Sequence, residues 1–344
     1  MKRLFLSYAV LSMFVLFAPY RAFSGETLPR YISIGTHPVG AYFNTVGTAA
    51  AKIISDHTKM KGIPKPMAGP TAWLPYMERG DIGLGVLNVW DAEKAYLGES
   101  IYKNLSKGKA FSVGLICVTT QNLGGLVVAK DSGIKSYADL KGKKVGGNFP
   151  TPSLQAQVNA YLANGNVKWS EVTPIPVNSV TEGVKVVMDG RADASGTIAL
   201  GTGAIAELDA KKGARILPID VSKEAMARTR KFHPGRPVKV KPSPSNVGIL
   251  EEQYLWAYDI YLIAGNKVSE EAVYQITKAL WENYKEFEKV HYLLKDWNQN
   301  TFVTDDPAIP YHPGAVRFYK EKGLWTKQLD QVQQKLLQEK PKGK

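Results

Sequence analysis

A single cysteine in 344 residues, Cys117, excludes an internal disulfide, so the fold must stand on its hydrophobic core. Cys117 itself sits in an apolar run, Val113-Gly114-Leu115-Ile116-Cys117-Val118, and reads as an inert buried thiol. The five histidines, His37, His57, His233, His291 and His312, have no pairing at metal-ligand spacing and no neighbouring cysteine, so no metal site is expected. There is no G-x-S-x-G nucleophile elbow. The glycine pair Gly35 and Gly40 continues as Ala41-Tyr42 where a phosphate loop would need Gly-Lys-Ser/Thr. Catalytic residues and cofactors are therefore expected to be absent. Long apolar runs are scarce too. The only one, Leu4 to Ala18, is shorter than the roughly 20 residues of a spanning helix and is closed by Pro19 and Arg21.

What that run does fit is export. Lys2 and Arg3, the apolar stretch and the small polar Ala22-Phe23-Ser24 follow the order of a cleavable signal peptide over residues 1–24, with cleavage expected after Ser24. No cysteine stands there to take a lipid, so the expected product is a diffusible periplasmic monomer. The formal charge is +13, and losing Lys2, Arg3 and Arg21 leaves the mature chain near +10. Its lysines are scattered, with a dense cluster only at Lys340-Pro341-Lys342-Gly343-Lys344. A solvated basic surface with a mild bias toward anionic ligands is expected, and not a nucleic-acid partner. About 320 mature residues exceed what one core usually serves, which predicts two domains.

Short apolar runs alternate with helical spacing along the chain. Tyr31 to Ile34, Ile82 to Leu87, Lys144 to Gly147 and Ala192 to Ile198 read as strands. They are followed by helices over Tyr42 to Ile54, Trp90 to Tyr96, Leu154 to Asn164 and Gly203 to Lys212. This alternation predicts an α/β fold with mostly parallel sheets. Ser136 and Asp139 form a capping-box-like start. Ser269 caps an amphipathic helix whose face carries Val273, Ile276, Leu280, Tyr284 and Phe287. His233 to Asn246, with four prolines, is expected to be a long surface loop. No internal repeat or low-complexity tract is present.

Ligands of open α/β sheets bind beyond the carboxyl ends of the strands, where loops enter helices. Four such junctions supply the candidate ligand residues. The first, Thr36 to Ala41, offers Thr36 and His37, with Tyr42 and Phe43 behind them, and its glycines allow close backbone approach. The second offers Asn88 and Trp90. The third offers Asn148, Thr151 and Ser153, with Ser153 expected as the helix N-cap. The fourth offers Thr197 and Thr202, and Thr71 follows the turn Met67 to Pro70. Each could be an ordinary capping residue; two early and two central junctions together suit a cleft closed from both sides.

With these residues in view, the chain resembles the TAXI family of solute receptors for TRAP-type transporters. The resemblance rests on Ile34-Gly35-Thr36-His37-Pro38-Val39-Gly40-Ala41-Tyr42-Phe43, Gly80 to Val86, Asp131 to Ser136 with Asp139 to Lys143, Ala272 to Asn283, and Ile309-Pro310-Tyr311-His312-Pro313-Gly314-Ala315-Val316-Arg317-Phe318-Tyr319. It implies a type II periplasmic-binding-protein-like fold, with two α/β lobes and a ligand cleft between them. Residues 25–120 and 262–344 would form lobe I and 121–261 lobe II, with crossings near Thr119 to Val128 and Trp256 to Ile263. It also implies TRAP membrane permease subunits as partners and an ion gradient as the driving force. His37, Pro38 and Phe43 depart from the family's first loop, Met67-Ala68-Gly69-Pro70 from its hydroxyl-bearing turn, Asn88 and Trp90 from its Gln and Asp, and Phe149-Pro150-Thr151-Pro152-Ser153 from its third loop. These changes suggest a small anionic solute, a carboxylate with a ring or apolar body, in place of an amino acid. An ABC-importer receptor or sensor is the alternative binding role. A periplasmic enzyme on the same fold is the alternative of another class.

Overall fold

The structure, a computed structural model, describes residues 28–39 and 41–340. The expected signal peptide, Gly40 of the first junction and the last four residues lie outside the described residues. Among the described residues ten strands form one sheet: β1 Tyr31–Thr36, β2 Lys61–Pro66, β3 Leu84–Asn88, β4 Val113–Ala129, β5 Lys144–Gly147, β6 Thr173–Pro176, β7 Ala194–Ala199, β8 Ala214–Ile216, β9 Arg236–Val240 and β10 Gln253–Gly265. Their order is β2-β1-β3-β10-β4-β7-β5-β6, with β8 on β4 and β9 on β10. From either edge the scheme is the same. The second strand of a half pairs with its first, the first with its third, and the third with one of the two long strands β4 and β10. That repeated order is the two-lobed α/β arrangement, with β4 and β10 passing through both halves.

The sheet is mixed, where a mostly parallel one was expected. The outer ladders β1–β2, β1–β3, β5–β6 and β5–β7 are parallel, because helices return the chain between them. Every ladder made by β4 or β10 is antiparallel, because each runs back against the strands it joins. The β10–β4 register slips between Asp259 and Tyr261, where β10 passes from Gln121 on β4 to Val118. Such a bulge bends a strand and increases its twist. β9 corrects the reading of residues 233–246 as loop throughout: Pro237 stands opposite Trp256 in an outer strand, a place that tolerates a missing N–H.

The apolar stripes read from the sequence become the faces that cover this sheet. Ser269 accepts from the Ala272 amide at the start of the helix Glu270–Glu282, and Val273, Ile276 and Leu280 are fully buried. That helix ends at Glu282, so Tyr284 and Phe287 belong to the short turns that follow. Phe287 stacks on Trp297 with ring centroids 3.8 Å apart. Ser136 and Asp139 do form a capping box. The His-Pro-Gly-Ala segment has a structural purpose. His312 Nδ1 accepts from the Gly314 amide at 3.2 Å, Pro313 begins the helix Pro313–Glu321, and Gly314 lies against the backbone of Glu270, where no Cβ fits. Cys117 is fully buried, and desolvation pushes its thiol far up.

Glycines Gly35 and Gly85 are paired on β1 and β3, and the Trp73 indole lies over both. The close approach that Gly35 permits is thus made by Trp73 and not by a ligand. A methyl group at Gly85 would overlap the six-membered ring of that indole. Gly85→Ala should therefore lower stability by roughly 1–3 kcal/mol, read from the denaturant midpoint, and Trp73→Leu in the same chain should recover part of the loss.

Candidate functional site

The carboxyl ends of β1 and β3 place two of the candidate junctions in lobe I. Thr36 ends β1 with its hydroxyl engaged on both sides: it accepts from Asn44 Nδ2 at 2.9 Å and donates to the His37 carbonyl at 3.0 Å. His37 stacks on Phe43 at 4.5 Å and faces Gly69 of the turn before Pro70. Its Nε2 is buried with no partner, and desolvation lowers its pKa to about 4, so the ring is neutral. Tyr42, the first residue of the helix Tyr42–His57, donates its hydroxyl to Thr120 Oγ1 on β4 at 2.9 Å. Thr71 lies half-buried in the helix Pro70–Arg79.

Asn88 ends β3 and caps the helix Val89–Leu97. Its Oδ1 accepts from the Asp91 amide at 2.8 Å, and its Nδ2 donates to Asp91 Oδ2 at 2.7 Å. Tyr102 donates to the other oxygen, Asp91 Oδ1, at 2.8 Å. The Ser153 hydroxyl of the other half also acts on this carboxylate. Burial raises the Asp91 pKa to about 6; Tyr102, Ser153 and Asn88 act against that rise. Trp90 is buried beside it.

The third and fourth junctions face these from the central part of the chain. The helix starts at Pro152, one residue before the expected cap. Proline is preset for the first helical position, so Thr151 is the N-cap, without a side-chain bond, and Ser153 is inside the helix. Ser153, Gln157 and Tyr161 then share one face at four-residue spacing. Gln157 Oε1 accepts from Thr197 Oγ1 at 2.6 Å, and the Gln157 side chain acts on the hydroxyl of Tyr258 on β10, offsetting part of the upward push of burial on that hydroxyl. That same hydroxyl accepts from Asn122 Nδ2 on β4 at 2.6 Å. The Tyr161 hydroxyl is fully buried without a geometrically sound partner.

Of the twelve residues singled out from the sequence, Asn88, Ser153 and Thr197 join one buried polar cluster around Asp91, Gln157 and Tyr258. Thr36, His37, Tyr42 and Phe43 form a neighbouring group tied to β4 through Thr120. Asn148 is exposed at φ 53°, a turn position, and Thr202 donates within its own turn to the Ala199 carbonyl at 2.6 Å. No contact draws Thr71 or Thr151 into the cluster. The residues that the sequence reading passed over are Asp91, Tyr102, Thr120, Asn122, Gln157, Tyr161 and Tyr258. Asp91 stands at the third position after an Asn cap, and Gln157 and Tyr161 stand four and eight residues after Ser153. Those spacings were the available signals. Surface hollows lined by Arg30, Lys59 and Lys61 and by His57, Lys278 and Glu282 lie away from this cluster. Among the described residues no three His, Cys, Asp or Glu side chains are placed to hold a metal ion. Nor is any helix among them long and apolar enough to cross a membrane.

The sheet order defines a mixed α/β fold of two halves built on one strand scheme, with the polar cluster between them. The chain belongs to the NMT1-like family, whose sequence model matches residues 34–323. Among solved structures it is similar to the periplasmic aliphatic sulphonate binding protein SsuA from Escherichia coli. That pair is 14% identical over 92% of this chain and 95% of the other, with a TM-score of 0.49. It is also similar to a TctC solute binding protein from Polaromonas, at 14% identity over 77% and 88%, TM-score 0.49. The alkanesulfonate-binding protein SsuA from Xanthomonas axonopodis pv. citri matches at 13% identity over 88% and 96%, TM-score 0.45.

Asp91 and the buried histidines pull stability in opposite directions with pH. Between 3.8 and about 6 the folded chain holds the Asp91 proton that the unfolded chain has lost, so this group makes stability fall as pH rises. His37, His233 and His312, each lowered to about 4 by burial, take up protons first in the unfolded chain, so they make stability fall as pH drops below 6.5. Asp91→Asn isolates the first effect. From pH 4 to 6 the variant should gain on the wild type by up to about 3 kcal/mol in unfolding free energy, with a flat difference above pH 7. A difference that does not change with pH would remove Asp91 from this account.

Proposed function

We propose that this chain is an exported solute receptor of the periplasm, free of catalytic activity, that closes its two halves on a small organic solute. Residues 25–120 and 262–344 make up lobe I and residues 121–261 lobe II. The observation that carries the reading is the buried polar cluster at the junction. Asn88 and Asp91 come from one half, Ser153, Gln157 and Thr197 from the other, and Tyr258 and Asn122 from the crossing strands. Buried polar groups are costly unless matched, and a cluster of them where two lobes meet is the arrangement that a cleft closing on a polar solute requires. On this reading the described arrangement is the closed one, in which Ser153 of one half acts on Asp91 of the other. His37, Tyr42, Phe43 and Trp90 supply aromatic surface for an apolar part of the solute.

For the delivery step we propose a TRAP-type permease, following the TAXI-like segments from Ile34 to Phe43 and from Ile309 to Tyr319. The match to the NMT1-like family favours a second reading, an ATP-driven importer. Uptake by membrane vesicles supplied with the receptor separates them: transport abolished by collapsing the ion gradient and indifferent to ATP depletion supports the first, and the reverse supports the second. For the receptor role itself, protein purified gently from the periplasm should carry a small molecule visible by native mass spectrometry. Removing that molecule by reversible unfolding should increase the radius of gyration, and returning it should reverse the change. A chain that carries nothing and keeps one radius through a broad solute panel would contradict the proposal.

A further inference from the structure

We propose that Asp91 sets the charge selectivity of the cleft, so that the solute offers this carboxylate a hydrogen-bond donor, cationic or neutral, in the place that the Ser153 hydroxyl holds in the closed chain. The inference rests on the receptor reading and replaces the expectation of an anionic solute. A helix N-terminus at a cleft ordinarily favours an anion, because its free N–H groups and dipole point outward. Here the chain's own carboxylate already has that position: Asp91 is in the first turn of the helix Val89–Leu97, and Asn88 takes its amide. The facing helix begins with Pro152, which has no N–H to give.

The partners of Asp91 divide by origin. Asn88 Nδ2 at 2.7 Å and Tyr102 at 2.8 Å belong to the same half and hold the side chain in place whether the lobes are open or closed. Ser153 acts on the same carboxylate from the opposite half, and on the receptor reading it leaves when the lobes part. Opening therefore frees one acceptor position on a carboxylate that is only 3% exposed, and a solute donor would fill it on closure. No lysine or arginine is buried among the described residues. The guanidinium of Arg236 on β9 is paired with Asp259, at 3.1 Å. An anionic group placed against Asp91 would thus meet like charge without a buried cation to offset it. The net positive charge of the chain belongs to its surface.

A five-carbon series isolates this charge choice: cadaverine, 5-aminopentanoate, glutaramide and glutarate, compared by calorimetry on wild type and Asp91→Asn. The wild type is expected to prefer the donor-bearing members over glutarate by tenfold or more. Asparagine keeps the size; its oxygen can still accept from Asn88 Nδ2 and its NH2 can donate to the Tyr102 hydroxyl, which also accepts, so the variant should fold and lose that preference. Ser153→Ala should leave the preference intact. Preference of the wild type for glutarate, or an order unchanged in Asp91→Asn, overturns the inference. The molecule retained on purification provides the second measurement: one with only anionic acceptors overturns the inference, and one with an amine, amide or hydroxyl donor that dissociates at least tenfold faster from Asp91→Asn supports it. If no member binds and no molecule is retained, the receptor reading fails, and the inference with it.

Discussion

The pairing of β4 with β10 is the constraint on which the rest of the molecule depends. These two strands, 17 and 13 residues long, run antiparallel through both halves of the sheet, and each half completes its own strand order by borrowing them. Nearly every residue of β10 is buried, so the pair acts as one shared core element. Thr119 donates to the Ile260 carbonyl at 3.0 Å within the register slip, fixing the strands to each other where β4 carries its extra residue. A bend with few rotating parts is what a two-lobed closure needs: the halves keep their own cores, and the change in angle is confined to a short stretch.

The polar cluster follows from that geometry. Tyr258 and Asn122 stand opposite each other on the crossing strands, so the floor between the halves is polar by construction. Strand ends from both lobes then direct Asn88, Asp91 and Thr197 toward it, and the helix Pro152–Asn164 adds Ser153 and Gln157. An isolated carboxylate in such a place would be strongly destabilising. Asp91 is tolerated because three donors surround it, and its elevated pKa is the residual cost of desolvation. The same low-dielectric setting makes any solute donor that reaches it more selective than it would be in water.

The fold was largely legible in the sequence because it is written in local periodicities. Strands and helices appeared in the right order, with ends displaced by a few residues, as at Leu84–Asn88 and Pro152–Asn164. The antiparallel character of the centre was not legible, since strand direction within the sheet depends on long-range pairing that leaves no local pattern. In the candidate site, Asn88, Ser153 and Thr197 were accessible because each sits at a strand-to-helix junction. Asp91, Gln157 and Tyr258 were not: one is a first-turn acid that looks like routine helix capping, one is buried in mid-helix, and one is a strand tyrosine. Only their convergence from three distant segments gives them a common environment. Gly35, just before the first junction, shows in the sequence only that something approaches closely, and that something is the Trp73 indole.

The central claim is that the halves open and close around the bulged stretch of β4 where it pairs with β10, and that a solute selects the closed state. The most direct measurement is the distance between spin labels at exposed positions, Lys103→Cys on one half and Lys185→Cys on the other, with Cys117 buried and unreactive. Chain freed of retained molecules should show a broad distribution containing a longer distance, and returning the retained molecule should collapse it to one short distance. A single narrow distance, identical with and without that molecule, would contradict the account.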